Sequence, residues 1–246
     1  MFGSTGGIGS ELCRKLLAPA TSGISRTVVL AGRDEEKLQN LSNELGSDCS
    51  SYHVVDALDG KSVDQVVDQV IKTHGRLHGV ANAIGSIVLK PAHTTSEKEF
   101  DDTMKRNTYT SFNILKSSVK HMGKTGGGSI AFCASAVALH GIQNHEAIAA
   151  AKGAIVAMAK SAASTYAPKN IRINCVAPGL IATPMTEKIT KSEGALRASE
   201  AMHALGRIGQ PKDVAAALAF FLNPENDFIT GQVLGVDGGL SSVRAS

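Results

Sequence analysis

The chain has 246 residues, of which 43% are hydrophobic and 19% charged, and it contains no tryptophan. That length supports one large cored domain or two small ones, and the composition is that of an ordinary globular protein. The net charge is +3, with lysines and arginines scattered and no aromatic residues interleaved among them, which gives no support to nucleic-acid binding. No apolar run reaches the roughly 20 residues of a membrane-spanning helix.

Short apolar runs alternate with longer amphipathic ones. Residues 26–32, RTVVLAG, read as a buried strand, and the helix that follows has Asp34 as N-cap and Gly46 at its end. SYHVVDA is the next strand. In KSVDQVVDQVIKTHG, Val63, Val66, Val67, Val70 and Ile71 fall on one helical face. LHGVANAIG reads as a strand ending in a loop, residues 96–123 as one broken helix or two successive ones, and GGSIAFCAS as a strand. A long alanine-rich helix from His145 stops at Pro168, and IRINCVAP is the strand after it. Residues 179–203 read as irregular and then helical. Pro211 opens a helix at a first-turn position, and GQVLGVDGG closes the chain as a strand.

Strands alternating with helices of this length predict an α/β fold: one domain over residues 1–246, with a single doubly wound parallel sheet and helices on both faces. Cys13, Cys49, Cys133 and Cys175 form no CxxC pair, and their spacing suits neither zinc nor a disulfide framework; they read as reduced thiols, and no metal site is expected. With no signal or transit peptide visible, the expected location is the cytoplasm, or an organelle interior if the natural start lies upstream.

Gly3, Gly7 and Gly9 are spaced G-x-x-x-G-x-G and open a helix with Ile8. Glycines at such a turn let a pyrophosphate approach the backbone, and the helix N-terminus offers free N–H groups and a favourable dipole. Gly32-Arg33 ends the next strand, where an acidic residue would favour NAD; a guanidinium instead suits a 2′-phosphate, so NADP is expected over NAD.

The chain resembles the short-chain dehydrogenase/reductase family, nearest its 3-oxoacyl-[acyl-carrier-protein] reductase branch, over its whole length. GSTGGIG (3–9) resembles the family's coenzyme turn in a Rossmann-type sheet, Asp56 in VVDALD its adenine-contacting aspartate, and Asn82 in NAIG its segment after the fourth strand. Asn107 in MKRNTYTSF, Ser135 in FCASAV and Lys152 match its active-site asparagine, serine and lysine. VAPGLIATPM, with Pro178, Gly179, Ile181 and Thr183, resembles the segment that holds the nicotinamide amide. The resemblance implies coenzyme contacts for Lys152 as well, a small carbonyl or acyl thioester substrate, and assembly as a homodimer or homotetramer.

Two departures stand out. Ile148 occupies the place of the family's proton-donating tyrosine, one turn before Lys152. A positioned acid–base group contributes about 10²–10⁴-fold, so another group is needed if reduction is to proceed. His145, seven residues before Lys152, is the candidate, with His140, Ser135 with a water, and Lys152 itself as alternatives. Only Met1 and Phe2 stand before the glycine turn, where the resemblance implies a central first strand. That strand is expected to be largely missing, the gene product incomplete or late-starting, and its two neighbours left with unpaired backbone groups at about 1–3 kcal/mol each; a protein that lives with six strands is the other reading.

The expected function is therefore an NADP-dependent oxidoreductase interconverting a carbonyl and an alcohol. An NADP(H)-binding pseudoenzyme acting as sensor or scaffold is the alternative, favoured by Ile148. A homologue that binds no nucleotide is a third.

Overall fold

The alternating pattern folds as alternating strands and helices. A computed structural model describes residues 1–18, 26–46 and 48–243. In chain order the first half contains α1 (Gly7–Leu17), β1 (Val28–Gly32), α2 (Glu35–Leu45), β2 (Ser50–Val54), α3 (Gly60–His74), β3 (Gly79–Asn82) and α4 (Glu97–Met104). The second contains α5 (Thr110–Met122), β4 (Gly128–Cys133), α6 (Glu146–Tyr166), β5 (Ile171–Pro178), α7 (Glu187–Thr190), α8 (Glu193–Met202), α9 (Pro211–Leu222) and β6 (Val233–Val236). Between α4 and α5, residues Lys105–Tyr109 widen into a π turn.

The element ends follow local chemistry. Asp34 and Asp59 cap α2 and α3 by accepting from the Lys37 and Lys61 N–H groups, and Gly75 ends α3 in the left-handed region. Ser96 and Glu99 form a reciprocal capping box on α4. β3 is shorter than the apolar run LHGVANAIG because the Asn82 side chain accepts from the Ile84 N–H and turns the chain out of the sheet.

Every registered strand pair is parallel: β1 with β2, and β3, β4, β5 and β6 in that order. Every residue of β5 is buried, as expected of a strand covered on both faces. On one face α3, α5 and α6 supply Val63, Ile114 and Ile155 to a core with Ile130, Phe132 and Ile173. On the other, Leu12 of α1 packs with Val214 and Leu218 of α9, and Cys13 with Leu38 and Leu41 of α2. Helices on both faces of a parallel sheet make this a doubly wound α/β fold of Rossmann type.

The opening residues join the two parts of the sheet. Phe2 forms parallel bridges to both Ala31 of β1 and Asn82 of β3. Its N–H donates to the Ala81 carbonyl and its own carbonyl accepts from Ala83, while Met1 and Gly3 exchange bonds with Ala31. The chain thus runs between β1 and β3 at their carboxyl ends. Toward their amino ends the same two strands flank a cleft of about 690 Å³, lined by Val28, Val29, Gly79 and Val80 among others.

Candidate active site

At the carboxyl edge of the sheet the glycine turn leads into α1. Gly3 has a positive φ of 74°, and a Cβ there would lie 2.9 Å from the Ile84 nitrogen. A Cβ on Gly9 would lie 2.1 Å from the Gly3 carbonyl oxygen, so helix and turn can meet only with glycine there. The N-cap is Gly6, with no side-chain cap and no acidic residue in the first turn. Helix geometry leaves the Gly7, Ile8 and Gly9 N–H groups without helical acceptors, and the first intrahelical bond runs from Ser10 to Gly6. An open helix N-terminus of this kind favours an anionic group.

Arg33, exposed just after β1, makes no hydrogen bond or ion pair with the described residues. Asp56 is exposed after β2, and its carboxylate accepts from the Leu58 N–H. Both lie off the carboxyl ends of neighbouring strands, on the same rim as the glycine turn.

Asn107 lies in the π turn, wholly buried. Its amide nitrogen donates to the Thr103 carbonyl at 2.9 Å and the Ser86 hydroxyl at 3.0 Å, and its amide oxygen accepts from the Ser86 N–H at 3.2 Å. Its own carbonyl accepts from the Ser111 hydroxyl, which in turn accepts from the Asn82 amide. One polar chain thus fixes the π turn, the end of β3 and the loop after it. Asn82 is buried inside that chain and acts from behind the rim.

Lys152 of α6 is only 7% exposed. Its Nζ donates to the Cys133 carbonyl at 2.9 Å and lies 3.2 Å from where a Gly85 Cβ would stand; the Asn107 amide oxygen lies 3.0 Å from the same point. Asn107 and Lys152 therefore meet at Gly85. Burial pushes the Lys152 ammonium below its ordinary value. Ser135, just after β4, accepts from the Val137 N–H through its hydroxyl.

Ile148 is 4% exposed, one turn before Lys152. His145 stands at the N-cap of α6 and its Nδ1 pairs with the Gln143 carbonyl at 2.7 Å, while His140 is exposed on the preceding loop. Neither histidine hydrogen-bonds to Asn107, Ser135 or Lys152.

Pro178 ends β5. Ile181 is buried and bridges to Gly209, which holds the segment against the loop before α9. The Thr183 hydroxyl meets that of Thr186, and a Cβ on Gly7 would lie 3.0 Å from Thr183 Cγ2. The mouth of α1 thus faces this segment directly. Behind Gly179 lies His203, 3% exposed at the end of α8: one ring nitrogen pairs with the Ser199 carbonyl and the other accepts from the Leu180 N–H. Ser86 and His203 were not singled out from the sequence. Their roles rest on contacts across 21 and 23 residues, which no local spacing encodes.

Residues 3–241 match the family model described as enoyl-(acyl carrier protein) reductase. The chain belongs to the short-chain dehydrogenase/reductase family. Among particular relatives, it is 33% identical to the 3-oxoacyl-[acyl-carrier-protein] reductase FabG of Thermotoga maritima, over 92% of this chain and 96% of that one. It is 31% identical to a chloroplastic tropinone reductase homolog of Arabidopsis thaliana, covering 97% of this chain and 74% of that one. A solved short-chain type dehydrogenase/reductase from Mycobacterium ulcerans superposes with a TM-score of 0.91 at 29% identity, covering 99% of this chain and 89% of the other. ElxO with NADP bound superposes with a TM-score of 0.89 at 29% identity, covering 98% and 97%. A tyrosine-to-phenylalanine variant of ElxO with NADPH bound superposes equally well.

Proposed function

We propose that the chain is an NADP-dependent oxidoreductase that interconverts a carbonyl and an alcohol, with a 3-oxoacyl-type thioester as the substrate class. The observation that carries this reading is the meeting of Lys152 and Asn107 at Gly85, on the same strand edge as an uncapped glycine-rich helix mouth.

The residues fit a dinucleotide. The free N–H groups of Gly7, Ile8 and Gly9 receive the pyrophosphate, and Gly3 and Gly9 keep that approach free of side chains. Arg33 pairs with the 2′-phosphate, and Asp56 reaches the adenine. Lys152 binds the nicotinamide ribose, while the backbone of Pro178, Gly179 and Ile181, with the Thr183 hydroxyl, holds the carboxamide. When bound, NADPH supplies the hydride. Ser135 polarises the substrate oxygen by donating a hydrogen bond from its hydroxyl, and Asn107 holds the loop bearing Ser86 against Lys152. ElxO, with NADP in one structure and NADPH in another, supports the choice of coenzyme.

Ile148 removes the phenol, so the proton for the nascent alkoxide comes from water ordered at Ser135 and Lys152. His145 is the weaker donor, because Gln143 holds its Nδ1. The buried Ile148 favours a second reading, an NADP(H)-binding pseudoenzyme that acts as sensor or scaffold. Assembly as a homodimer or homotetramer fits the exposed Tyr109 and Phe112 at the π turn and α5.

Fluorescence titration with NADPH followed by NADPH oxidation with an acetoacetyl thioester separates these readings. Binding with turnover supports the reductase. Binding with no turnover over a broad carbonyl panel leaves the pseudoenzyme, and no binding of either coenzyme form removes both.

A further inference from the structure

Along residues 179–183 the backbone N–H groups are committed one after another, except that of Ile181. Gly179 donates to the Val236 carbonyl, Leu180 to the His203 ring, Ala182 to the Gly209 carbonyl and Thr183 to the Thr186 hydroxyl. Among the described residues, the Ile181 N–H and the Gly179 carbonyl have no hydrogen-bond partner. A trans peptide is a rigid plane with its N–H and C=O on opposite sides. Holding the Leu180 N–H therefore aims the Gly179 carbonyl the other way. Holding the Leu180 carbonyl, which accepts from the Gly209 N–H at 2.9 Å, likewise aims the Ile181 N–H. The segment thus presents a free acceptor and a free donor on adjacent peptide planes, a match for a primary carboxamide, which offers one of each.

The second of these planes is fixed by backbone, the first by a side chain. The His203 ring is buried against two glycines. A Cβ on Gly179 would overlap its Nε2, and one on Gly238 would lie 3.5 Å from its Cβ and 3.6 Å from its Cδ2. The Ser199 carbonyl can only accept, so the Nδ1 that meets it at 2.6 Å carries the ring proton. The Leu180 N–H can only donate, so the Nε2 that meets it at 3.2 Å presents a lone pair. One tautomer satisfies both contacts. The backbone around the ring is held as well: the Gly206 N–H donates to the His203 carbonyl and the Leu205 N–H to the Gly238 carbonyl. With carbon in place of Nε2 the Leu180 N–H would lose its acceptor, and nothing else described would stop the Gly179–Leu180 plane from turning.

We propose that His203 is a positioning residue for the coenzyme. Its Nε2 sets the Gly179–Leu180 peptide plane, so that the Gly179 carbonyl and the Ile181 N–H stand ready for the nicotinamide carboxamide. The proposal rests on the coenzyme reading above. His203 acts through the peptide and not by touching the reacting atoms, because Leu180 and Ser199 occupy both of its ring nitrogens. Its effect is confined to the nicotinamide end, since the groups assigned to the pyrophosphate, the 2′-phosphate and the adenine stand on α1 and after β1 and β2.

The test compares the full chain with His203→Leu, which keeps bulk and loses the acceptor, and His203→Gln, whose amide oxygen reaches the position of Nε2. Calorimetry follows the binding of NADPH and of 2′-phospho-ADP-ribose, which lacks only the nicotinamide. NADPH is expected to bind His203→Leu at least about tenfold more weakly than the unmodified chain, and His203→Gln within about threefold of it; tenfold corresponds to about 1.4 kcal/mol. 2′-Phospho-ADP-ribose is expected to bind both variants and the unmodified chain alike. Equal weakening of the two ligands in His203→Leu would show a merely structural role and overturns the proposal, as does a glutamine variant no better than the leucine one. NADPH affinity unchanged in His203→Leu removes the role of His203 alone, whereas no NADPH binding by the unmodified chain removes the coenzyme reading and this role with it. Should His203→Leu fail to fold, isotope-edited NMR of the unmodified chain decides. The ring proton is expected on Nδ1, and the Leu180 amide resonance is expected to move with NADPH but not with 2′-phospho-ADP-ribose. A proton on Nε2, or equal movement with both ligands, overturns the proposal.

Discussion

At position 148 a hydrocarbon stands one turn from a buried ammonium, with Ser135 and Asn107 still in place on their own elements. Ile148 is buried one turn before Lys152 on the same helix, the position from which a phenol would stand beside the ammonium. Ile148→Tyr is therefore expected to raise reductase turnover by about 10²–10⁴-fold, the range a positioned acid contributes, in a steady-state assay with an acetoacetyl thioester. In the same assay His145→Ala should change turnover less than twofold. A collapse of turnover in that variant would show that His145 swings away from Gln143 and donates the proton.

At the scale of elements, the best-supported features in the sequence were those with a single cause. Apolar periodicity marked α3 and α9, and IRINCVAP, residues 171–178, became β5 with the same bounds. The break in residues 96–123 was visible, but its form as a π turn was not, because that turn is fixed by Asn107 bonding to Thr103 and Ser86. Residues 179–203, irregular and then helical by their sequence, resolve into two helices, α7 and α8, after a short turn at Pro184–Thr186. His203 was illegible for the same reason as Ser86: its partners come together only after the sheet has formed. The glycine turn also yields a stability prediction. Gly9→Ala places a methyl 2.1 Å from the Gly3 carbonyl, which the backbone relieves only by moving α1 off the turn. A loss of about 3 kcal/mol by denaturant unfolding is expected, together with loss of NADPH binding.

Across the whole molecule the sheet has an uneven seam. β1 and β2 connect to β3 through the few bonds of residues 1–4, whereas β4 and β5 pair over six residues. Native-state hydrogen exchange is expected to show Val28–Gly32 and Ser50–Val54 opening together at lower free energy than Ile130–Phe132 and Ile173–Cys175. Equal protection across all four segments would mean that helix packing, and not the seam, sets local stability. The seam also carries a pH signature. Burial pushes the Met1 amine below its ordinary value, so between that lowered value and about pH 8 the unfolded chain binds more protons than the folded one. Stability is expected to rise with pH through that window and to level off above it, where the amine is neutral in both states. Acetylating the amino terminus should flatten this part of a Tm-against-pH curve.

The bare mouth of α1 has a practical corollary for anyone handling the protein. No side chain caps this mouth, so by mass action a purification step that strips bound coenzyme is expected to lower the melting point of the preparation. Batch-to-batch scatter in melting point should therefore track residual absorbance of adenine near 260 nm, and a pinch of coenzyme in the storage buffer should erase it.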